Sequence, residues 1–175
     1  MSVLRFENVS KQYPGGHEAL ADVSFEVAQG EMLFVTGHSG AGKSTLLKLI
    51  HLSERPSRGA VLFGGRNLLK VRGGRVPLHR RDVGAVYQDH RLLADRSVAE
   101  NVALPLREHT ELDENTVRIM SRLKLEVVNL GGFQDLMPSQ LSGGMIKRAA
   151  LARAIVMDPR LLFFDEPSAG LDPVV

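Results

Sequence analysis

Two groups of residues in this chain have the types and spacing that phosphate chemistry needs, and the first is a glycine-rich run. Residues 37–45, Gly-His-Ser-Gly-Ala-Gly-Lys-Ser-Thr, contain the spacing G-x-x-x-x-G-K-[ST] of a phosphate-binding loop. Glycines let backbone N–H groups wrap closely around phosphate oxygens, and a following helix N-terminus adds partial positive charge. We expect Lys43 to reach the β- and γ-phosphates and the Ser44 hydroxyl to bind Mg²⁺, whereas the alternative is an ordinary Gly-rich turn. The predicted nucleotide contacts are Gly37, His38, Ser39, Gly40, Ala41, Gly42, Lys43, Ser44 and Thr45.

The second group is an acidic pair at the end of an apolar run. Residues 161–164, Leu-Leu-Phe-Phe, are typical of a strand buried on both faces, and Asp165 and Glu166 follow directly. Adjacent carboxylates at such a place are costly unless they have a function. We expect Asp165 to meet Mg²⁺, directly or through water, and Glu166 to polarise an attacking water. A solvated acidic turn is the alternative.

The segments around the glycine loop indicate the elements that position it. Residues 32–36 form a short apolar run that predicts a buried strand, and apolar residues recur at helical spacing over 46–50. Before them, residues 3–9 and 23–27 alternate in polarity, with a Pro-Gly-Gly turn over 14–16. The pattern therefore predicts strand, loop and helix, preceded by an antiparallel sheet beside the nucleotide core.

Two further residues have ambiguous roles when they are considered alone. Tyr13, just before the turn, could stack on an adenine base or pack on a sheet edge. Gln88 follows a predicted strand over 83–87, where an amide can reach a metal or a water, although such a residue is more often part of a loop. A further strand is predicted over residues 60–63.

The segment over residues 97–138 has the character of a helical insertion between core strands. Asp113 is a candidate N-cap, and Val117, Met120 and Leu123 follow at helical spacing. This apolar stripe predicts a core face, with a surface for a partner helix as the alternative.

The run Leu-Ser-Gly-Gly-Met over residues 141–145 precedes a predicted helix over 146–156 that carries Lys147, Arg148 and Arg153 and is bounded by Pro159. Ser-Gly-Gly at a helix N-terminus is a second potential anion site, although the same run is common in loops.

Composition limits the class of protein. The 175 residues include 22 basic and 20 acidic residues, a net charge of +2 that gives no argument for nucleic acid as a partner. There is no cysteine and therefore no disulfide framework. No apolar run approaches the roughly 20 residues that span a bilayer, and residues 1–13 lack a signal-peptide core. We expect a soluble protein whose membrane association comes through a partner.

Taken together, these motifs resemble the nucleotide-binding domain of ABC ATPases, over essentially the whole chain and in the family's order. The loop alone is shared by many families, but its combination with Leu-Ser-Gly-Gly is highly specific. The matching positions are Tyr13 (adenine stacking), 37–45 (Walker A), Gln88 (Q-loop), 141–144 (signature), Asp165 and Glu166 (Walker B) and 169–172 (D-loop).

The resemblance implies an α/β fold of the P-loop NTPase class, with a RecA-like parallel sheet core. It also implies an N-terminal antiparallel β subdomain and an inserted helical subdomain. We expect one ABC ATP-binding domain over residues 1–175. Residues 1–96 and 139–175 would form the nucleotide core with its β subdomain, and residues 97–138 the helical subdomain.

The resemblance also implies the activity, which is ATP binding and hydrolysis in a head-to-tail dimer. Lys43, Gln88 and Glu166 would be the catalytic residues, and Gln88 would sense the γ-phosphate. The implied cofactors are ATP and Mg²⁺. Each ATP would also contact the signature of the second copy, through Ser142, Gly143 and Gly144, and the metal ligands would be Ser44, Gln88 and Asp165.

The implied partners are a second copy of the chain and an integral membrane permease-like subunit, with no nucleic acid. The location implied is cytoplasmic and peripheral, on the inner face of the cell membrane. Ribosome-acting or DNA-repair ABC ATPases are a weaker match, since neither tandem domains nor a long coiled-coil insertion is present.

Within the family, two types of ATPase are similar to different halves of the chain. Residues up to about 100 resemble the cell-division ATPases of the FtsE type, through 36–44 and 87–93. Residues from about 102 onward resemble the ATPase of the phospholipid-trafficking (Mla) system, through 104–110 and 141–145. Met-Ile-Lys stands at 145–147, where the cell-division type usually has Glu-Gln-Gln.

The chain stops at Val175, just past the D-loop, and none of its six histidines follows Asp165. We therefore expect a C-terminally truncated member that lacks the last core strand and the switch histidine. That strand would lie between the phosphate-loop strand and the Walker B strand, so its absence would leave backbone groups unpaired. The alternative function is a nucleotide-binding fragment that does not hydrolyse ATP.

Overall fold

The structure is a computed structural model, and it describes residues 2–165. Glu166 and the D-loop match at 169–172 lie outside the described residues. The chain divides into two compact units, one ending at Arg81 and the other beginning at Asp82. Each unit is described by itself below.

The first unit is built on a four-stranded sheet with the order β2-β1-β3-β4, in which all neighbouring strands are antiparallel. Phe6, Val9 and Val61 are buried in the core, with a break in the strand register between Phe6 and Val9, and the Phe6 and Phe25 rings stack with centroids 4.6 Å apart. This confirms the antiparallel sheet that the alternating polarity predicts. The strands are β1 (Ser2–Gln12), β2 (Glu18–Ala28), β3 (Arg58–Phe63) and β4 (Arg66–Asn67).

Two α-helices and a short 3-10 helix (Leu68–Lys70) complete the described part of the first unit. Helix α1 (Lys43–Ile50) follows the glycine loop as predicted, with Leu46, Leu49 and Ile50 buried. Helix α2 (Arg75–Arg81) is not predicted by the sequence, because its basic residues obscure any apolar stripe. It is held to α1 by the buried His79, whose Nε2 lies 2.7 Å from the carbonyl oxygen of Ile50.

The strand predicted over residues 32–36 is wrong, because this segment has no regular secondary structure. Met32 and Phe34 are 78% and 77% exposed, where the prediction required burial. A strand needs a hydrogen-bonded neighbour, and within residues 2–165 no strand pairs with this segment. Without a paired strand, this segment lies on the surface despite its apolar composition.

The second unit contains a parallel pair of strands, β5 (Val83–Val86) and β6 (Leu161–Phe164), both predicted from the sequence. Helix α5 (Gly143–Ile155) packs closely on β5 at Gly84. A Cβ on Gly84 would lie 2.7 Å from the carbonyl oxygen of Ala154, so a larger residue would push α5 away from the strand.

The prediction that residues 161–164 are buried on both faces is wrong for the described part of the chain. Phe163 is buried, but Phe164 is 43% exposed. Among the described residues this sheet has two strands, so β6 has β5 as its one neighbour there. The faces of a parallel sheet are buried by elements packed against them, and the described residues leave the face that carries Phe164 partly uncovered.

Helices α3 (Val98–His109) and α4 (Glu114–Val127) confirm that the inserted segment is helical. Asp113 is the N-cap of α4 as predicted, accepting hydrogen bonds from the N–H groups of Asn115 and Thr116. These helices share one hydrophobic core with α5. Its buried members are Val98, Val102, Ala103, Leu106, Val117, Leu125, Val128, Leu130, Ala149, Ala152 and Val156.

The predicted apolar stripe of α4 is only partly correct. Val117 is buried and Met120 packs against the core, but Leu123 is 58% exposed and Leu125 takes the buried position. Leu123 lies one turn from Ile119 and one turn from Val127, and all three are exposed. Helix α4 therefore has a second apolar stripe on its outer face.

Candidate functional site

The glycine loop adopts the conformations for which its glycines are suited. Gly40 and Gly42 have φ values of 83° and 89°, in the left-handed region that glycine reaches without a steric penalty. The chain then turns directly into α1 at Lys43, with Gly42 as the N-cap. The first N–H groups of α1 therefore end at the loop, as anion binding requires.

Gly42 is also the point at which the first sheet positions the loop. A Cβ on Gly42 would lie 2.3 Å from the carbonyl oxygen of Ala19 and 2.8 Å from Cδ2 of Leu20, both in β2. The third glycine of the motif is thus required by both its φ value and its packing. No feature of the sequence indicates that β2 makes this contact.

We predict that Gly42→Ala destabilises the protein far more than Gly40→Ala. Both residues have positive φ, so each alanine has backbone strain of about 1 kcal/mol or more. A Cβ on Gly40 meets no atom within 4 Å, however, whereas a Cβ on Gly42 collides with backbone. Thermal unfolding of the two variants measures the difference, and equal melting temperatures would contradict the proposed packing requirement.

Lys43 points back into its own loop. Its Nζ donates hydrogen bonds to the carbonyl oxygens of Gly37 (2.7 Å) and His38 (3.0 Å). Ser44, the predicted Mg²⁺ ligand, is exposed, and Thr45 is buried in the first turn of α1. The loop thus places an ammonium group and an accessible hydroxyl beside the helix N-terminus.

Tyr13 lies close to this loop. Its hydroxyl is 3.5 Å from Oγ1 of Thr45, and Nζ of Lys11 lies 4.9 Å from the centroid of its ring. Lys11 is held by the carboxylate of Glu54, 2.8 Å away. These contacts fix the position of the Tyr13 ring next to α1, and a fixed ring is suited to base stacking. The Tyr13 side chain is half-buried.

The parallel strands bring together two residues that the sequence identifies separately. Val86 and Phe164 are paired at the ends of β5 and β6, and the Asp165 N–H donates to the carbonyl oxygen of Val86 at 2.9 Å. Asp165 and Gln88 therefore leave the sheet at the same edge, one and two residues past the ends of their strands. Gln88 is exposed there.

A tight turn over residues 87–91, here called the Gln88 turn, contains the predicted Q-loop residue. The His90 N–H donates to the carbonyl oxygen of Tyr87 at 3.0 Å, and the Arg91 guanidinium lies 4.0 Å from the centre of the Tyr87 ring. Arg91 Nε also donates to both carboxylate oxygens of Asp89. The turn thus has its own internal contacts.

Two side chains that the sequence does not identify as functional hold this part of the chain from outside. Arg153 of α5 donates to the carbonyl oxygens of Arg91 (2.6 Å) and His90 (2.7 Å). Asn101 of α3 is fully buried and exchanges hydrogen bonds with the backbone of Leu93. A lone Arg and a lone Asn in helices have no spacing signal, so only the folded structure reveals these contacts.

Burial lowers the pKa of the Arg153 guanidinium below its ordinary value, and the nearby Asp89 carboxylate partly opposes this. An arginine starts from so high a pKa that it stays charged near neutral pH. Arg153 therefore brings a half-buried positive charge to the carbonyl oxygens of the Gln88 turn.

The signature residues form the beginning of α5. Ser142 is the N-cap, and its hydroxyl accepts from the Met145 N–H at 3.3 Å. Gly143 and Gly144 follow in the first turn, where an added Cβ would meet no atom within 4 Å. Met145 stands where the cell-division type usually has Glu. It packs against the hydrophobic core shared by α3, α4 and α5, so its side chain has an apolar environment.

Comparison with known proteins decides the family. Residues 20–169 match the model of the family described as ABC transporter. The chain belongs to this family. It is 47% identical over 170 residues to the cell division ATP-binding protein FtsE of Escherichia coli K12, covering 97% of this chain and 76% of that protein. It is 45% identical over 153 residues to the intermembrane phospholipid transport system ATP-binding protein MlaF of Haemophilus influenzae, covering 87% and 58%.

Solved structures show the same fold. CbiO1 of Clostridium perfringens, part of the ABC transporter complex cbiONQ, matches with a TM-score of 0.90 and 30% identity, covering 98% of this chain and 68% of that one. The ATP-binding cassette MJ0796, a dimer in a post-hydrolysis state with ADP and Pi, matches with a TM-score of 0.85 and 31% identity, covering 97% and 76%.

The family membership confirms the predicted fold class and the ATP-binding function. The chain is an ABC ATPase with a P-loop NTPase fold, similar to both types that its two halves resemble. Within residues 2–165, no helix has both the length and the hydropathy needed to cross a membrane.

Proposed function

We propose that this chain is the ATP-hydrolysing subunit of an ABC-type membrane complex of the cell-division or phospholipid-transport type. The observation that carries the proposal is the glycine loop over residues 37–45, which leads into α1 with Lys43 beside it. Relatives of both types at 43–47% identity support the choice of complex.

In the proposed site, the ATP phosphates lie against the loop amides and the Lys43 ammonium, and adenine stacks on Tyr13. Gln88 senses the γ-phosphate, and Glu166 takes a proton from the attacking water. Lys43 points toward the loop, through its bonds to the carbonyl oxygens of Gly37 and His38. On nucleotide binding, its ammonium exchanges these carbonyl oxygens for phosphate oxygens, which are stronger acceptors.

The residues proposed to hold Mg²⁺ are Ser44, Gln88 and Asp165, and their chemistry fits this ion. All three offer oxygen atoms, the ligands that Mg²⁺ prefers, and Mg²⁺ commonly keeps waters and takes few protein ligands beside the phosphates. When bound, the ion would neutralise developing phosphate charge.

The proposed dimer is head to tail, so that Ser142, Gly143 and Gly144 of one copy meet the ATP of the other. The N-terminus of α5 supports this, because it begins at Gly143 and has no acidic residue in its first turn. Such a helix end favours a phosphate, and the two glycines leave room for it. ATP would close the dimer and hydrolysis would release it, which moves the membrane partner.

The proposed membrane partner is an integral, permease-like subunit, and it would hold this chain on the cytoplasmic face of the membrane. Ile119, Leu123 and Val127 are spaced four residues apart on one face of α4, and all three are exposed. This apolar stripe supports contact with another protein, since a contiguous exposed apolar patch often marks an interaction site. No nucleic acid partner is proposed.

The test is to measure ATP binding and phosphate release on the same preparation. We expect the chain to bind ATP and to release phosphate only when Mg²⁺ is present. Binding without phosphate release would support the alternative, a non-hydrolysing nucleotide-binding fragment. No ATP binding at all would contradict both functions.

A further inference from the structure

The two carbonyl oxygens that Arg153 contacts belong to an unusual stretch of backbone. His90 and Arg91 have φ values of 55° and 49°, so two consecutive residues that are not glycine lie in the left-handed region. A residue other than glycine is strained in this region, and the conformation persists only when surrounding contacts determine it. The internal contacts of the turn contribute to this, and any contact from a neighbouring element adds to them.

Arg153 supplies that contact with a group whose shape fits. Its two terminal nitrogens donate to the carbonyl oxygens of two successive residues, at 2.6 and 2.7 Å. A guanidinium is a planar fork that can make both bonds at once, whereas a lysine ammonium is a point charge on a flexible stem. Replacement by lysine therefore cannot reproduce the geometry.

The base of the Arg153 side chain is itself fixed. Its neighbours Ala149 and Ala152 on α5, and Val156 at the C-cap, are fully buried in the core shared with α3 and α4. The helix that carries Arg153 near its C-terminus begins with the signature residues Gly143 and Gly144. Arg153 thus connects the Gln88 turn to the same rigid helix that presents the signature.

We propose that Arg153 is a positioning residue for Gln88, holding residues 90 and 91 in their left-handed conformation so that Gln88 stays at the end of the sheet that it shares with Asp165. The inference rests on the proposed function, because it takes Gln88 as the residue that senses the γ-phosphate. Arg153 itself touches neither nucleotide nor metal.

The kinetic test combines Arg153→Gln with Gln88→Ala. Misplacing a catalytic group by about 1 Å can lower a rate on the order of a hundredfold. We expect Arg153→Gln to lower kcat about tenfold. The dissociation constant for ATP should change less than about threefold. In the Gln88→Ala background, Arg153→Gln should change kcat by less than about twofold, because residues that act through one group are not additive. Arg153→Lys should not restore the rate.

Arg148→Gln is the matched control. Arg148 is also on α5 and also donates to a backbone carbonyl oxygen, that of Asn129, at 3.1 Å. This bond lies away from the Gln88 turn, so we expect kcat to stay within about twofold of the unmodified chain. A loss equal to that of Arg153→Gln would show a general effect on α5 and would overturn the inference.

Hydrogen exchange provides a readout that does not depend on activity. The N–H groups of His90 and Arg91 are hydrogen-bonded within the turn, and we expect them to exchange at least about tenfold faster in Arg153→Gln, while peptides from the middle of α5 keep their protection. Unchanged exchange over residues 87–93 would overturn the inference, as would fully additive rate losses in the double variant. If the unmodified chain binds ATP but releases no phosphate, the proposed function fails, and exchange alone still decides the role of Arg153.

Discussion

Glu166→Gln is expected to bind ATP as tightly as the unmodified chain, to dimerise with it, and to release phosphate at least about a hundredfold more slowly. Proton transfer by a positioned carboxylate contributes roughly 10²–10⁴-fold to such reactions, and glutamine cannot accept the proton. The amide keeps the size of the carboxylate, and in the proposed site it removes a negative charge that would repel the phosphates, so we expect ATP binding to be preserved. Phosphate release and size-exclusion chromatography with Mg-ATP measure both effects.

The control for this variant is Glu111→Gln, which removes one negative charge from an exposed position in the loop between α3 and α4. We expect it to turn over ATP at the rate of the unmodified chain. If Glu166→Gln also keeps the full rate, Glu166 is not the general base. If it loses ATP binding as well, the defect lies in the site's structure and not in proton transfer.

Most of the fold can be predicted from the sequence where local chemistry determines the structure. The alternating polarity of residues 3–9 and 23–27 predicts β1 and β2, and the carboxylate of Asp113 predicts where α4 begins. Ser142 ahead of the two glycines marks the start of α5, although the predicted helix began three residues later. These features depend on residues that are neighbours in sequence.

The wrong predictions share a different cause, because each depends on what lies beside the segment in space. Residues 32–36 have the composition of a buried strand but no paired neighbour among residues 2–165, and Phe164 and Leu123 have apolar side chains on exposed faces. An apolar pattern indicates which residues can be buried, but only the surrounding elements decide whether they are.

In the candidate site too, some features can be predicted from the sequence and others depend on residues that are neighbours only in space. The chemical groups, from Lys43 to Asp165, are identified by motif spacing, and the sheet edge shared by Gln88 and Asp165 follows from two parallel strands. The contacts that fix those groups come from unrelated positions, as with Arg153 on the Gln88 turn and β2 against Gly42. Support of this kind has no sequence signature, because the residues in contact are far apart in the chain and follow no fixed spacing.

Lys43→Ala is expected to lower ATP affinity about tenfold or more and to leave the protein folded. Lys43 places its ammonium beside the loop, and charge-assisted hydrogen bonds to phosphate are roughly twice as strong as neutral ones. Alanine favours helix at the first position of α1, so the helix itself should persist. Titration with a fluorescent ATP analogue measures the affinity, and circular dichroism checks the fold.

Lys48→Ala separates the specific role of Lys43 from a general loss of positive charge. Lys48 is exposed on the same helix, in its last turn, and lies away from the glycine loop. If attraction between a basic helix and an anion were enough, the two alanine variants would lose affinity equally. We expect Lys48→Ala to stay within about twofold of the unmodified chain, because a solvent-exposed charge one or two turns away is screened by salt and water. Equal losses would mean that the loop does not direct Lys43 onto the phosphates, and the proposed site would be wrong.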